Sequence, residues 1–233
     1  RAYYGESCPN PYLRVFPIKE VADIGRPKGI PLIIDNTASP VICKPLAHGA
    51  AIVMHSLTKY IGGHGTSIGG IIVDGGNFDW IKDRKRQPLM NEPDQSYGGA
   101  IWADAVPQLT GGKIPFAIRA RVVLLRDLGA PLSPFNAWQI IQGLETVGLR
   151  MKQHCANAEK VVTFLETQKK VQNVIYPTNH QGEIKDRALR YMKGGYGSLV
   201  GMDVGTRENG AKFIDNLKML YHVANIGDAR SLA

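Results

Sequence analysis

Three neighbouring segments carry residue types from which an active site could be built. Asp35-Asn-Thr37 ends a short apolar run, Pro31-Leu-Ile-Ile-Asp35. Ser56-Leu-Thr-Lys-Tyr60 follows a second run, Ala50-Ala-Ile-Val-Met54. The glycine-rich stretch Ile61-Gly-Gly-His-Gly-Thr-Ser-Ile-Gly-Gly70 comes directly after it. A lysine amine forms a Schiff base with an aldehyde. A carboxylate at a strand end can hold a proton on a pyridine nitrogen and so make the ring an electron sink. Hydroxyls and the main-chain amides of a glycine-rich turn donate to phosphate oxygens. Lysine, strand-end aspartate and paired hydroxyls together suit pyridoxal 5′-phosphate. The 24 residues from Asp35 to Lys59 leave room for one crossover between neighbouring strands.

Singly, each element has an ordinary explanation. A strand-end aspartate is often a turn or cap residue, a lone lysine usually sits in solvent, and a glycine run can be a plain loop. The run is not a P-loop, since no Gly-Lys-Ser/Thr follows the glycines. Nor is it a G-x-G-x-x-G fingerprint, because Ile68 stands where the third glycine would be. The six histidines form no H-E-x-x-H or similar cluster, which argues against a metal site. Cys155 falls on a helical apolar stripe and reads as core rather than nucleophile.

The elements that must position these residues alternate. Arg1–Glu6 reads as a strand and Pro17–Gly29 as a helix (Ile18, Val21, Ala22, Ile24). The runs ending at Asp35 and Met54, and a third centred on Ile71-Ile-Val73, read as strands buried on both faces of a mostly parallel sheet. This alternation predicts α/β. Residues 74–112 lose the pattern and read as a long irregular excursion. Pro115–Leu128 reads as a helix closed by Gly129. Ser133-Pro134 predicts a capped helix start, with Trp138, Ile141, Leu144, Met151, Cys155, Ala158, Val162 and Leu165 at helical spacing. Gly143 and Gly148 are expected to break or bend that helix. A boundary there divides the chain into residues 1–146, a large domain, and 147–233, the start of an α+β domain. In the second part, 171–176 and 198–204 read as strands and 208–220 as a helix.

The 233 residues are 44% hydrophobic and 21% charged, ordinary for a globular protein. No apolar run approaches the ~20 residues needed to cross a bilayer, and no membrane partner is expected. The sequence opens on Arg1 without a signal-peptide pattern and stops at Ala233 inside an unfinished pattern, so it reads as an internal piece of a longer chain. The formal charge of +8 then describes the piece, and no nucleic-acid partner is expected from it. Lys82-Asp-Arg-Lys-Arg86 reads as a solvated loop. Cys8, Cys43 and Cys155 are odd in number and far apart, which fits reduced thiols and a cytoplasmic location.

Four segments carry a resemblance. Asp35-Asn-Thr37, His55-Ser-Leu-Thr-Lys-Tyr-Ile-Gly-Gly-His-Gly65, Ser133-Pro-Phe-Asn-Ala137 and Gln142-Gly-Leu-Glu-Thr146 resemble the pyridoxal-phosphate enzymes of Cys/Met metabolism. Within that family, Gly62–Trp80 is similar to the O-acetylhomoserine sulfhydrylase branch. The resemblance runs from Arg1 to Ala233 in one register. It implies an aminotransferase-like type I fold, usually a homotetramer.

The resemblance also implies roles. Lys59 resembles the lysine that binds the cofactor, Asp35 the pyridinium partner, and Ser56 and Thr58 phosphate ligands. Asn10, in Glu6-Ser-Cys-Pro-Asn-Pro11, resembles the residue that bonds the cofactor's 3′-oxygen. Ser231 resembles a serine near the substrate carboxylate and the lysine amine. The implied reaction is replacement at Cγ of O-acetyl-L-homoserine by sulfide or a thiol. A cystathionine-type synthase, a γ-lyase or methionine γ-lyase activity, or a non-catalytic structural role stand as alternatives. Family members are longer at both ends, where a phosphate-binding turn, a ring-stacking aromatic and a carboxylate-binding arginine are expected. Ser96-Tyr-Gly-Gly99 stands where the branch often has Tyr-His-Gly, so a loop histidine is absent at that place.

Overall fold

A computed structural model describes all 233 residues. The first part is a four-stranded sheet. Strand β1 (Tyr3–Glu6), β2 (Leu32–Asp35) and β3 (Ile52–Ser56) run parallel, and β4 (Gly70–Asp74) lies antiparallel beside β3. Helix α1 (Ile18–Gly25) makes the crossover from β1 to β2, burying Ile18 and Ala22. Parallel pairing requires such crossovers, and their consequence is that successive strands end at one edge. The registers Glu6↔Asp35 and Asp35↔Met54 bring the carboxyl ends of β1, β2 and β3 together.

The strands are less buried than their composition suggests. In β2, Leu32 and Ile34 are buried while Ile33 and Asp35 are half-buried. Strand β4, expected to be buried on both faces, leaves Ile71, Ile72 and Val73 exposed. Its antiparallel position at the sheet edge, with no strand beyond it, is the physical reason.

Residues 74–112, read as irregular, contain helix α2 (Pro88–Asn91) and helix α3 (Trp102–Thr110). Pro107 inside α3 masks the second from its sequence. The helix still closes regularly on Gly111, whose N–H donates to Pro107 O. Helix α4 (Pro115–Arg119) continues into a π-helical turn, Ala120–Arg126, ahead of Gly129, as the spacing predicts.

Helix α5 (Pro134–Glu166) starts where expected, with Ser133 Oγ accepting from Asn136 N at 3.1 Å. It then runs 33 residues without interruption, so the helix does not break at Gly143 or Gly148. The residues on either side of the 146/147 division lie inside it. A stripe of Ile140, Gly143, Val147, Met151, Cys155, Ala158 and Val162 is buried along its length. Gly143 has a packing role: a Cβ there would lie 2.3 Å from Gly62 O and 2.6 Å from Ile61 O, so only glycine lets the helix reach that backbone. Nothing lies within 4 Å of a Cβ at Gly148.

Beyond α5, β5 (Asn173–Ile175) and β6 (Gly201–Asp203) pair antiparallel. Helix α6 (Gly182–Tyr191) and helix α7 (Arg207–Asp215) complete the α+β part. The main core spans both parts: Leu32, Ile34 and Val53 share it with Met151 and Cys155 of α5 and Ala188 and Tyr191 of α6. Cys8, Cys43 and Cys155 are buried and unpaired. No helix is long and apolar enough to cross a membrane.

The two glycines of α5 should respond oppositely to the same change. Gly148→Ala removes backbone freedom from an open helical position and should stabilise by about 0.5–1 kcal/mol. Gly143→Ala forces a methyl against two carbonyls and should destabilise by about 1–3 kcal/mol. Urea unfolding of both variants against the parent measures the signs; equal effects would contradict this packing.

Candidate active site

The edge where β1, β2 and β3 end collects the residues singled out by type. Asp35 closes β2. Its Oδ1 accepts from Thr37 N at 2.9 Å and its Oδ2 accepts from Tyr4 Oη of β1 at 3.4 Å. Thr37 returns the tie, its Oγ1 accepting from Ser56 N at 2.8 Å. The ends of β2 and β3 are thus stitched through Thr37. That role was not legible in Asp35-Asn-Thr37 as a sequence, because it depends on the register between strands. Ser56 closes β3, opposite Gly70 of β4. Its hydroxyl makes no hydrogen bond within the chain.

Lys59 sits in a π-helical turn, Leu57–Ile61, and its own backbone (φ −89°, ψ −129°) leaves the helical region. The turn is tied at both ends. Gly62 N donates to Leu57 O at 2.9 Å, Gly63 N donates to Lys59 O at 2.7 Å, and Leu57 N donates to Gly69 O at 2.9 Å. The Thr58 hydroxyl accepts from Gly69 N at 3.1 Å and donates to Gly69 O at a long 3.4 Å. The glycine-rich run therefore folds back on the turn that carries the lysine.

The half-buried Lys59 amine donates to Asn225 Oδ1 at 2.9 Å. Sequence reasoning missed Asn225 entirely, since it lies 166 residues away on an irregular loop. That loop is pressed onto the lysine turn. Ala229 N donates to Gly63 O at 2.8 Å. A Cβ at Gly227 (φ +80°) would lie 2.5–2.7 Å from Tyr60 atoms, so glycine is needed there twice over, for conformation and for space. Buried Asp228 accepts from Arg230 N, Nε and Nη2 at 2.9–3.1 Å. Those bonds to Arg230, with a smaller contribution from Asn225, hold the Asp228 carboxyl below the usual carboxylate range.

The remaining expected residues are placed at the periphery. Asn10 is exposed on the loop after β1, which begins beside Asp35 where Ser7 N donates to Asp35 O at 2.9 Å. Ser231 is exposed too, and its main-chain oxygen accepts from Tyr221 N at 3.0 Å. The amine's partner in the structure is Asn225, not Ser231.

Two further groups shape the charge of the edge. Burial pushes the His55 imidazole pKa down, against an opposing pull from Asp35, which favours a neutral ring near pH 7. His55 Nδ1 is buried without a partner. Burial and then the Asp35 charge push the Tyr4 phenol up, so it stays a donor to that carboxylate.

Removing Asn225's side chain should free the Lys59 amine. Trace acetylation read by peptide mass spectrometry should rise about fivefold at Lys59 in Asn225→Ala, the equivalent of one hydrogen bond of roughly 1 kcal/mol. Labelling of exposed Lys113 should not change. Equal labelling of Lys59 in parent and variant would contradict the contact.

Comparison with known proteins bears on what this edge holds. The family model for Cys/Met metabolism PLP-dependent enzymes matches residues 1–233. An O-acetyl-L-homoserine sulfhydrylase from Leptospira meyeri is 46% identical over all of the chain, which covers 54% of that protein. The chain thus spans about half the length of the curated relatives it matches. Among solved structures, an O-acetylhomoserine (thiol)-lyase from Campylobacter jejuni, which carries a pyridoxyl-lysine phosphate, superposes with a TM-score of 0.88 at 34% identity. The match covers 100% of this chain and 56% of that one. A cystathionine gamma-lyase from Lactobacillus plantarum, complexed with L-serine, gives 0.78 at 27% identity, over 100% of this chain and 51% of that one. The α/β architecture is the type I fold of pyridoxal-phosphate enzymes, and the chain belongs to the Cys/Met metabolism PLP-dependent enzyme family.

Proposed function

We propose that this chain holds pyridoxal phosphate on Lys59. The reaction it serves is replacement at Cγ of O-acetyl-L-homoserine, in which sulfide or a thiol takes the place of acetate and yields L-homocysteine or its thioether. The observation that carries the reading is the convergence of Asp35, Ser56 and Lys59 on one sheet edge in a fold whose similar relatives are named for that reaction. Bound at such an edge, the cofactor supplies an electron sink for charge developing at the substrate's Cα.

The donor set fits the group. Asp35, held by Thr37 N and Tyr4 Oη, offers a fixed carboxylate for a protonated ring nitrogen. The unengaged Ser56 hydroxyl is available to a phosphate oxygen. So is Thr58, whose 3.4 Å bond to Gly69 O is weak enough for a charged acceptor to displace. Asn10 is assigned to the 3′-oxygen on resemblance, as is Ser231 to the substrate carboxylate. The chain's own part in the chemistry centres on Lys59 Nζ, which takes the proton from the substrate's Cα. Asn225 accepts from the free amine, so the base has a defined position while it is not bonded to the cofactor. The two alternatives on the same scaffold, a cystathionine-type synthase and a γ-lyase, differ in acceptor. The Lactobacillus plantarum neighbour is the observation that keeps them in view.

Further readings belong to the whole protein. A homo-oligomer, a tetramer by resemblance, is supported by Phe135, Trp138, Ile141 and Leu144, apolar side chains left exposed on the first turns of α5. A cytoplasmic location is supported by three free thiols.

The test is acetate release by the full-length protein with O-acetyl-L-homoserine and either sulfide or cysteine as acceptor. Turnover should require sulfide or a simple thiol. Faster turnover with cysteine would favour the cystathionine-type reading, and none with either would contradict the proposal. In the same assay Asp35→Asn should lower turnover by roughly 10²–10³-fold, the usual cost of one charge interaction made in the transition state.

A further inference from the structure

Arg150 lies on α5, away from the strand ends, and has no carboxylate partner. Its guanidinium is spent on the lysine turn instead. Nη1 donates to Tyr60 O at 2.6 Å and Nη2 donates to Ile61 O at 2.9 Å; Nη2 also donates to Gly143 O at 2.6 Å. Nε donates to Thr146 Oγ1 at 3.1 Å, one turn back along the helix. The Thr146 hydroxyl in turn donates to Gly143 O at 3.3 Å. The planar fork therefore ties the two carbonyls that immediately follow Lys59 to the helix. Neither carbonyl accepts a loop or cap N–H, because both belong to the last residues of the turn, where the helix ends and its final carbonyls have no intrahelical partner.

The rest of the surroundings share the arrangement. Gly143 brings α5 into contact with the same backbone. A Cβ at Gly63 would lie 2.2 Å from Arg150 Nη1, so the turn leaves a glycine-shaped space for the guanidinium. One helical turn on, the His154 ring meets the Tyr60 ring edge-on at 5.8 Å. On the opposite side, Asn225 and Gly227 close over Lys59 and Tyr60. The lysine is thus held by its amine at Asn225, and the turn that carries it is held at Arg150 through the carbonyls of the next two residues.

We infer that Arg150 is a positioning residue for Lys59, fixing the turn so that the amine addresses the Asp35 edge. The inference rests on the reading of Lys59 as the cofactor lysine. Only arginine meets the geometry, because a lysine in its place offers one point charge and cannot span two successive carbonyls and Gly143 O from a fixed plane.

The experiment uses the full-length holoenzyme and the variants Arg150→Lys, Arg150→Ala and Thr146→Val. Thr146→Val removes the Nε anchor and the hydroxyl's long bond to Gly143 O while leaving the guanidinium in place, and serves where the other two fold poorly. Expected are retained cofactor content, kcat lowered about 10- to 100-fold in the Arg150 variants with KM little changed, and a weakened visible circular-dichroism band of the bound cofactor. Thr146→Val should shift both readouts in the same direction by a smaller amount. Guanidinium ion should restore part of the Arg150→Ala rate. Folded variants with parental kcat and visible dichroism would overturn the inference, as would a loss confined to thermal stability. A parent whose pyridoxyl group is found on another lysine would overturn the underlying reading instead, and the two failures are therefore separable.

Discussion

Helix α5 meets the lysine turn backbone to backbone at Gly143, and much of the site depends on that approach. The contact leaves no volume for a side chain, with Gly62 O 2.3 Å from where a Cβ would stand. It puts Arg150 within reach of the carbonyls after Lys59. It also threads a single helix through the core shared by the sheet and the C-terminal part. The loop of residues 225–230 then closes the other side through the Ala229–Gly63 hydrogen bond. The lysine is therefore framed by elements from three distant stretches of the chain, and its position is a property of the tertiary packing.

The sheet edge supplies the second half of the arrangement. Parallel pairing places Asp35 and Ser56 at neighbouring strand ends, and Thr37 keeps them in step with one hydrogen bond to each side. Asp35 receives only a main-chain N–H and a tyrosine hydroxyl, so its charge remains available to a cationic group. With His55 favoured neutral, the edge presents the tethered Asp35 carboxylate at the end of β2, Glu6 beside it at the end of β1, and one amine beyond the end of β3.

Much of this was readable in the residues. The short apolar runs ending at Asp35 and Ser56, with their crossover spacing, convey parallel strands and a shared edge. Ser133-Pro134 conveys the start of α5. The glycines of α5 misled because propensity penalises glycine inside a helix without knowing what stands opposite. At Gly143 a carbonyl stands there, and tertiary contact overrides the local cost. Pro107 hides helix α3, and the apolar run of β4 does not reveal whether a further strand covers it. Asn225 and Arg150 were out of reach for a different reason. Their partners are an amine 166 residues away and carbonyl oxygens, and no spacing in a sequence encodes such contacts.

The central claim is that Lys59 is the cofactor's attachment point. Borohydride reduction of the full-length protein saturated with pyridoxal phosphate, followed by peptide mapping, tests it most directly. The account predicts one pyridoxyl group per chain, on Lys59 within Ser56-Leu-Thr-Lys-Tyr60. A pyridoxyl group on Lys44, Lys113 or any other lysine, with Lys59 unmodified, would contradict it.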